Sequence, residues 1–289
     1  MRRTFFLAVV SLLWALSAFA QTAPKAQSRF TTLDGVKVHY DNYGRGKEAI
    51  VFIHGWTCDA TFWRANLPAF TEAMRVIAVD LPGHGQSDKP EKLVYSMDLF
   101  ANAVNAVLLH AKVERAVLVG HSMGTPVIRQ FYRKYPAKVQ ALVIVDGSLK
   151  AMGTKESMKQ FLDPFREPGY KQHAEQMITY LTQAMKNEQT RNEVKAAMLS
   201  APQYVMISAF DGMLDPEIWK TQDKINVPTL ALMAANPQWS ADYEKFVREL
   251  VPNLDYQTWL GVSHFLMMDE PNKFNGTVMT FLKRNKIIQ

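Results

Sequence analysis

Short, continuous apolar runs recur along this chain and alternate with longer segments in which apolar residues return every three to four positions. The runs predict strands that are buried on both faces, and the periodic segments predict helices that cover them. The predicted strands comprise residues 49–53, 76–79, 116–119, 141–145, 228–233 and 254–259. An alternating hairpin, residues 30–33 and 36–40 about a turn at Asp34 and Gly35, precedes them. This order favours an α/β fold with a mostly parallel sheet and helices on both faces.

The alternation of strands and helices stops between residues 148 and 222. This segment is helical in pattern and rich in Met, Phe, Tyr and Leu, so it predicts a helical cap inserted over the ends of the strands. Its methionines are Met152, Met158, Met177, Met185, Met198, Met206 and Met213. Such methionines either fill a core or give a lid an adaptable apolar surface. We therefore predict one domain over residues 21–289, with residues 148–222 as the inserted cap.

Residues 116–131 hold the strongest functional pattern in the chain. Ser122 lies between Gly120 and Gly124, with a buried strand before it and a helical pattern after it. Strand, G-x-S-x-G and helix in this order are typical of a nucleophile elbow, a strained turn that exposes the serine hydroxyl at the carboxyl end of a sheet. Such a turn leaves little room for side chains two residues away, which explains the glycines. An ordinary glycine-rich turn is the alternative, and we predict that Ser122 is the nucleophile.

Two backbone N–H groups are candidates for holding a negatively charged oxygen. Met123 follows the nucleophile directly, and Trp56 follows His54 and Gly55 at the end of the strand 49–53. Enzymes with a nucleophile elbow take their second donor from the loop after such a strand. We therefore predict that the N–H groups of Trp56 and Met123 form an oxyanion hole. A simple turn from strand to loop is the alternative for Trp56.

The amino terminus differs in composition from the rest of the chain. Arg2 and Arg3 precede an apolar run over residues 5–16, and Ala18-Phe19-Ala20 offers small residues around a cleavable bond. This pattern predicts a secretory signal peptide over residues 1–20, too short to span a membrane comfortably. We expect an exported protein, periplasmic or secreted, with no stable membrane insertion after signal removal. An uncleaved anchor helix is the alternative.

Charge and the metal-ligating residue types narrow the function classes further. The formal net charge of +6 is mild and forms no basic stripe, so no nucleic-acid partner is predicted. The seven histidines show no i,i+4 pair and no cysteine partner of the kind that zinc sites use, so no metal is implied. His84 lies in a glycine-rich loop and is predicted to be structural, whereas His39 and His110 are predicted at the surface. Cys58 is the only cysteine, so no internal disulfide is available.

Four motifs together resemble the α/β-hydrolase superfamily over essentially the whole mature chain. They are His54-Gly55-Trp56, the loop from Asp80 to Gly85, Gly120-His121-Ser122-Met123-Gly124 and Gly261-Val262-Ser263-His264-Phe265. The resemblance implies a mixed, mostly parallel eight-stranded sheet and the chain order serine, acid, histidine. It places the base on the loop after the last strand, at His264. Because the elbow carries serine and not aspartate, the resemblance argues against haloalkane dehalogenase and epoxide hydrolase chemistry.

The acid is where the sequence departs from the family's pattern. Family members usually carry aspartate just after the penultimate strand, where this chain has residues 234–239 with Asn236 and no carboxylate. Asparagine cannot stabilise an imidazolium as an anion does. Some members place the acid one strand earlier, and Asp146 occupies that position. We predict that Asp146 is the acid; the alternatives are a capping role for Asp146, with Asp211 or Asp215 of the cap as the acid.

These residues together predict an exported serine hydrolase that cleaves a small ester through an acyl-serine intermediate, without a cofactor. The same triad serves lactone hydrolysis, C–C bond hydrolysis and cofactor-free peroxyacid formation, and these activities differ in the cap rather than in the motifs. A catalytically decayed binding module is a further alternative, because the usual acid position lacks a carboxylate. The presence of Ser122, His264 and both N–H donors favours an enzyme. No oligomeric state follows from the sequence.

Overall fold

One mixed sheet of eight strands organises the chain. The computed structural model describes residues 25–220 and 223–289, so the predicted signal peptide lies outside the described residues. The strands are β1 (Gln27–Leu33), β2 (Val36–Tyr43), β3 (Glu48–Ile53), β4 (Arg75–Val79), β5 (Arg115–His121), β6 (Val139–Val145), β7 (Thr229–Ala234) and β8 (Leu254–Trp259). Their order across the sheet is β1-β2-β4-β3-β5-β6-β7-β8. β2 is antiparallel to β1 and β4, and the other neighbours are parallel, which confirms the predicted architecture.

Helices lie on both faces of this sheet. The α-helices are α1 (Leu67–Phe70), α2 (Met97–Ala111), α3 (Gly124–Lys134), α4 (Lys159–Leu162), α5 (Tyr170–Thr182), α6 (Glu188–Leu199), α7 (Gln203–Met213), α8 (Ala241–Leu250), α9 (Leu266–Asp269) and α10 (Pro271–Arg284). Short 3₁₀ segments span Ala60–Trp63, Pro136–Lys138, Asp163–Arg166 and Pro216–Trp219. None of the helices in the described ranges combines the length and the apolar character needed to cross a membrane.

The continuous apolar runs form the central strands, and their register brings the functional loops together. Every residue of β4 and β7 is buried, as expected for parallel strands covered on both faces. Gly120 on β5 is aligned with Ile53 on β3 and Ile144 on β6. The carboxyl ends of these three strands therefore meet at one edge of the sheet. The loop with Trp56, the elbow and Asp146 all begin there.

His39 lies in the interior, so its predicted surface position is wrong. Its ring is fully buried; Nδ1 lies 2.8 Å from Asp80 Oδ2 and Nε2 lies 2.9 Å from Ser28 Oγ. Its backbone N–H donates to Ser87 Oγ at 2.8 Å. The alternating pattern suggested a hairpin with one face in water, but β2 lies between β1 and β4. The loop of residues 80–88 covers the face that carries His39.

Between β6 and β7 the chain leaves the sheet and forms α4 to α7, within the segment that we call the cap, residues 148–222. Several hydrogen bonds join this segment to the loops at the ends of the strands, and two of them involve candidate site residues. Trp56 Nε1 donates to Met206 O at 2.8 Å, and the backbone N–H of His264 donates to Leu181 O at 3.2 Å. The cap is thus attached to the loops that carry the predicted oxyanion donor and the predicted base.

Candidate active site

The turn between β5 and α3 places Ser122 in a strained conformation. Ser122 has φ of +52°, in the left-handed region that a side chain other than glycine occupies at a cost of about 1–3 kcal/mol. Its N–H donates to Val145 O at 2.9 Å, and its carbonyl accepts the N–H of Thr125 at 2.9 Å. These bonds to the neighbouring strand and to the first turn of the helix hold the strained residue in place.

The glycines around the elbow are required by space. A Cβ on Gly120 would lie 2.5 Å from Gly124 O, and a Cβ on Gly124 would lie 2.6 Å from Ile53 O. A Cβ on Gly147 would lie 2.7 Å from the carbonyl oxygen of Ser122. All three contacts are with backbone, which cannot rotate away. The structure therefore explains the spacing of the motif by the close approach of β3, β5 and the first turn of α3.

Asp146 contacts His264 directly. Asp146 follows β6 with φ of +45°, and its Oδ2 lies 2.6 Å from His264 Nδ1. The two side chains are 5% and 16% exposed, so little water competes for this contact. The distance is the one expected if Asp146 orients the imidazole.

The other carboxylates considered from the sequence lie elsewhere. Asp211 forms an ion pair with Arg166 at 3.2 Å, and Asp215 accepts the N–H of Glu217 at the start of a 3₁₀ segment. Asn236, at the position where an acid was sought, turns its Oδ1 to the N–H of Gln238 at 2.9 Å. Among these candidates, the structure brings only Asp146 to the imidazole.

The second oxygen of Asp146 is held by the segment that lacks the usual acid. Asp146 Oδ1 accepts the backbone N–H of Ala234 at 2.8 Å and the indole Nε1–H of Trp239 at 2.8 Å. Both donors come from the end of β7 and the loop after it. The carboxylate thus contacts the imidazole through Oδ2 and accepts two N–H donors on Oδ1.

His121, inside the elbow motif, connects the nucleophile to the base. Its Nε2 donates to the carbonyl oxygen of His264 at 2.9 Å, and the two rings lie 4.7 Å apart between centroids. Burial, together with the neighbouring His264, holds the pKa of His121 well below its usual range. His121 is therefore neutral and carries its proton on Nε2. The residue after Ser122 was predicted to matter, whereas this role of the residue before it was missed.

The N–H groups of Trp56 and Met123 are available for an oxyanion. Neither makes a hydrogen bond within the part of the chain that the structure describes, although both residues are buried. The Trp56 ring packs edge-on against Phe165 and Phe210, at centroid distances of 5.6 and 5.8 Å. Buried N–H groups almost always have a partner, so two orphaned ones beside a strained serine are typical of an oxyanion hole.

A cavity of about 340 Å³ joins all these groups. Ser122, His264, Asp146, Trp56 and Met123 line it on the side of the sheet. Five of the seven cap methionines also line it: Met152, Met158, Met177, Met198 and Met213. The Ser122 hydroxyl makes no hydrogen bond to His264 in the described ranges; catalytic contacts of this kind often tighten only when substrate binds.

Cys58 also lines this cavity but does not compete as a nucleophile. Its thiol is buried and donates to Trp56 O at 3.4 Å. Burial, followed by the nearby Asp59, raises the pKa of Cys58 well above its usual range, so the thiol is protonated at neutral pH. Residues 25–220 and 223–289 contain no cluster of three or more His, Cys, Asp or Glu that could hold a metal ion.

Comparison with known proteins decides the family. The model of the alpha/beta hydrolase fold family matches residues 48–265, which include the elbow, Asp146 and His264. This chain belongs to the α/β-hydrolase fold family. The match covers most of the sheet, the cap and the loop after β8.

Individual relatives of this α/β-hydrolase differ in what their names describe. The uncharacterised hydrolase YugF of Bacillus subtilis (strain 168) is 40% identical over 94 residues, which are 32% of this chain and span only 34% of that protein. The 2-hydroxy-6-oxononadienedioate/2-hydroxy-6-oxononatrienedioate hydrolase of Burkholderia vietnamiensis (strain G4 / LMG 22486) is 29% identical over 282 residues, 86% of this chain and 92% of that protein. Among solved structures, the N-acyl homoserine lactone degrading enzyme Est816 is 27% identical with a TM-score of 0.75, over 88% of this chain and 100% of its own. A thermophilic esterase is 27% identical with a TM-score of 0.71, over 90% and 99%.

Proposed function

We propose that this α/β-hydrolase is an exported serine hydrolase, a carboxylesterase that cleaves small esters through an acyl-serine intermediate. The observation that carries the proposal is the 2.6 Å contact between Asp146 Oδ2 and His264 Nδ1, on the same cavity as a serine with φ of +52°. A nucleophile, a base and an oriented acid are the three parts that acyl transfer by serine needs.

In the first step, His264 Nε2 accepts the proton of Ser122 Oγ while this oxygen attacks the carbonyl carbon of the ester. The contact with Asp146 keeps a proton on Nδ1 of the imidazole, so Nε2 has the lone pair that the step requires. The carboxylate also stabilises the imidazolium that forms. The N–H groups of Trp56 and Met123 bind the oxygen on which negative charge develops, and such donors supply a large share of the rate.

In the second step, the imidazolium of His264 gives its proton to the leaving alcohol, and the acyl group stays on Ser122. Water then attacks the acyl carbon while His264 accepts a proton from it. The ester bond of the intermediate breaks, and the proton returns to Ser122 Oγ. One ester and one water give one acid and one alcohol.

The cavity supports an apolar acyl group. Ligand sites are mostly apolar with a few polar groups that fix orientation, and this cavity has the triad on one side and five cap methionines on the other. Methionine is flexible and fills irregular space, so this wall suits acyl chains of different lengths better than one fixed shape.

Lactone hydrolysis and C–C bond hydrolysis are the second candidates. Est816 is named as an N-acyl homoserine lactone degrading enzyme, and the Burkholderia relative as a hydrolase of 2-hydroxy-6-oxononadienedioate. The steps above also open a lactone, whose alcohol remains attached to the acid. The similarity to a thermophilic esterase supports ester hydrolysis as the first candidate for this chain.

The first experiment tests whether Ser122 is activated. One sample of the purified protein is treated with a fluorophosphonate probe. A separate, untreated sample is assayed on p-nitrophenyl esters of increasing chain length, on a set of lactones and on a substrate for C–C bond hydrolysis. We expect the probe to label Ser122, as detected by mass spectrometry. We expect Ser122→Ala to remain folded, to lose labelling and to lose about 10⁴-fold or more in kcat. Turnover by Ser122→Ala at the wild-type rate would overturn the proposed mechanism, and absence of labelling in the wild type would favour a binding module.

Export is proposed from the sequence, and it has its own test. The full chain is expressed with its amino terminus intact, and the cell fractions are separated. We expect the protein in the periplasm or the medium, with a mass that corresponds to cleavage after Ala20. Protein that keeps residues 1–20 and stays with the membrane would instead support the uncleaved anchor.

A further inference from the structure

The carboxylate of Asp146 is held by two donors that lie far from it in sequence. Its Oδ1 accepts the N–H of Ala234 and the indole N–H of Trp239, each at 2.8 Å, while Oδ2 contacts His264 at 2.6 Å. The donor from Ala234 is backbone at the end of a buried strand, and no substitution other than proline removes it. The donor from Trp239 is a side chain, and its presence depends on the sequence.

Packing fixes the position of the indole. The backbone N–H of Trp239 donates to Asn236 O at 2.9 Å, and this bond closes a turn in the loop after β7. The ring of Trp239 packs against Tyr243 with centroids 4.9 Å apart. The hydroxyl of Tyr243 donates to Gly147 O at 3.3 Å and accepts the N–H of Leu149 at 3.0 Å. The indole is therefore attached, through α8, to the same segment that carries Asp146.

A carboxylate on a short side chain rotates about its last bond, so one contact to a histidine does not fix its plane. Donors on the second oxygen restrict this rotation and leave Oδ2 directed at the imidazole. We propose that Trp239 is a positioning residue for the acid, acting on catalysis through Asp146 and His264. The loop after β7 would then keep a part in the triad although it carries no acid. This inference rests on the function proposed above.

Trp239 also lines the cavity, so the test must separate its N–H from its bulk. Trp239→Phe keeps an aromatic wall and removes the donor. Trp239→Gln removes the wall and keeps an N–H that reaches about as far from Cα as the indole nitrogen. We expect Trp239→Phe to lower kcat on p-nitrophenyl acetate about tenfold, because a hydrogen bond to a charged group is lost while that from Ala234 remains. We expect Trp239→Gln to keep kcat within about threefold and to raise KM instead.

A double-mutant cycle tests whether the effect passes through Asp146. The rate of fluorophosphonate labelling is measured for Trp239→Phe alone and in the Asp146→Ala background, which removes both the carboxylate and the oxygen to which the indole donates. Effects of residues that act as a unit are not additive, so we expect Trp239→Phe to slow labelling by less than about twofold in that background. Trp219→Phe is the matched control. Trp219 lines the same cavity, but its indole donates to Met213 O, so its effect should be the same in both backgrounds.

Each outcome decides one claim. If the wild type shows no labelling and no Ser122-dependent turnover, the proposed function fails and this inference fails with it. If the wild type is active, two results would show that the positioning role is wrong while the proposed function stands. Either Trp239→Phe has the wild-type kcat, or Trp239→Gln loses as much kcat as Trp239→Phe does. Equal effects of Trp239→Phe in both backgrounds would likewise refute action through Asp146.

Discussion

Replacing Asp146 by asparagine exchanges one carboxylate oxygen for an NH₂ group, at a side chain whose two oxygens have defined partners. The amide oxygen of the new residue can accept the N–H groups of Ala234 and Trp239, which now bond to Oδ1. Its NH₂ group then faces His264 Nδ1, where the carboxylate oxygen now lies at 2.6 Å. Because two donors cannot face each other, the imidazole must carry its proton on Nε2, the atom that has to accept the proton of Ser122.

The magnitude follows from this wrong tautomer and from the lost negative charge. In a serine protease the equivalent change lowers kcat about 10⁴-fold with the geometry intact, which corresponds to about 5 kcal/mol of transition-state stabilisation. We expect the same order for Asp146→Asn. The melting temperature should change little, since the two bonds to the amide oxygen remain.

Steady-state hydrolysis of p-nitrophenyl acetate and the rate of fluorophosphonate labelling measure this loss. Asn236→Ala is the matched control. The Asn236 side chain lies on the same cavity, at the position where relatives usually carry the acid, but among the described residues it bonds only to the N–H of Gln238. We expect Asn236→Ala to keep kcat within about threefold. If Asp146→Asn retained more than about a tenth of the wild-type kcat while remaining folded, the identification of the acid would be wrong.

Two further predictions concern the cap and a buried histidine. Met177→Ala should change the preference among p-nitrophenyl esters of different chain length more than it changes kcat on the acetate. The control is Met185→Ala, because Met185 is a buried cap methionine outside the cavity lining. Equal losses of Met177→Ala on every ester would refute an acyl-binding role. Burial lowers the pKa of His84 to about 3, so the unfolded chain binds more protons below about pH 6.5, and stability is lost as pH falls from there. Urea unfolding should show about 2 kcal/mol less stability at pH 5 than at pH 7 from this residue, a difference that His84→Gln removes and that His110→Gln, at an exposed position, does not; an unchanged pH dependence in His84→Gln would contradict the argument.

The elements that local pattern determines were predictable, and the elbow was the clearest of them. Continuous apolar runs identify parallel strands, and the glycines at 120 and 124 are required by contacts within ten residues or with the neighbouring strand. His39 was misplaced because alternation alone does not tell which strand of a hairpin lies inside a sheet. Its neighbours Asp80 and Ser87 come from a loop more than forty residues away.

The candidate triad could be read from the sequence, but the groups that hold it could not. Asp146 follows from chemistry, because Asn236 carries no charge where an acid is usual. Trp239 was not identified, since an indole N–H reaches a carboxylate 93 residues away only once two loops have packed. His121 was missed because a motif position written as any residue gives no sign of a bond to the backbone of His264.

The hydrogen bond from the backbone N–H of His264 to Leu181 O joins the cap to the residue that carries the base through backbone atoms alone. A carbonyl is present at that point whatever side chain residue 181 carries. Side chains around α5 can therefore be exchanged to accept new substrates without altering what holds the histidine. Natural or laboratory selection can therefore change specificity and catalytic rate as nearly independent traits. Deleting or inserting residues near Thr182 would instead displace the backbone bond and change both.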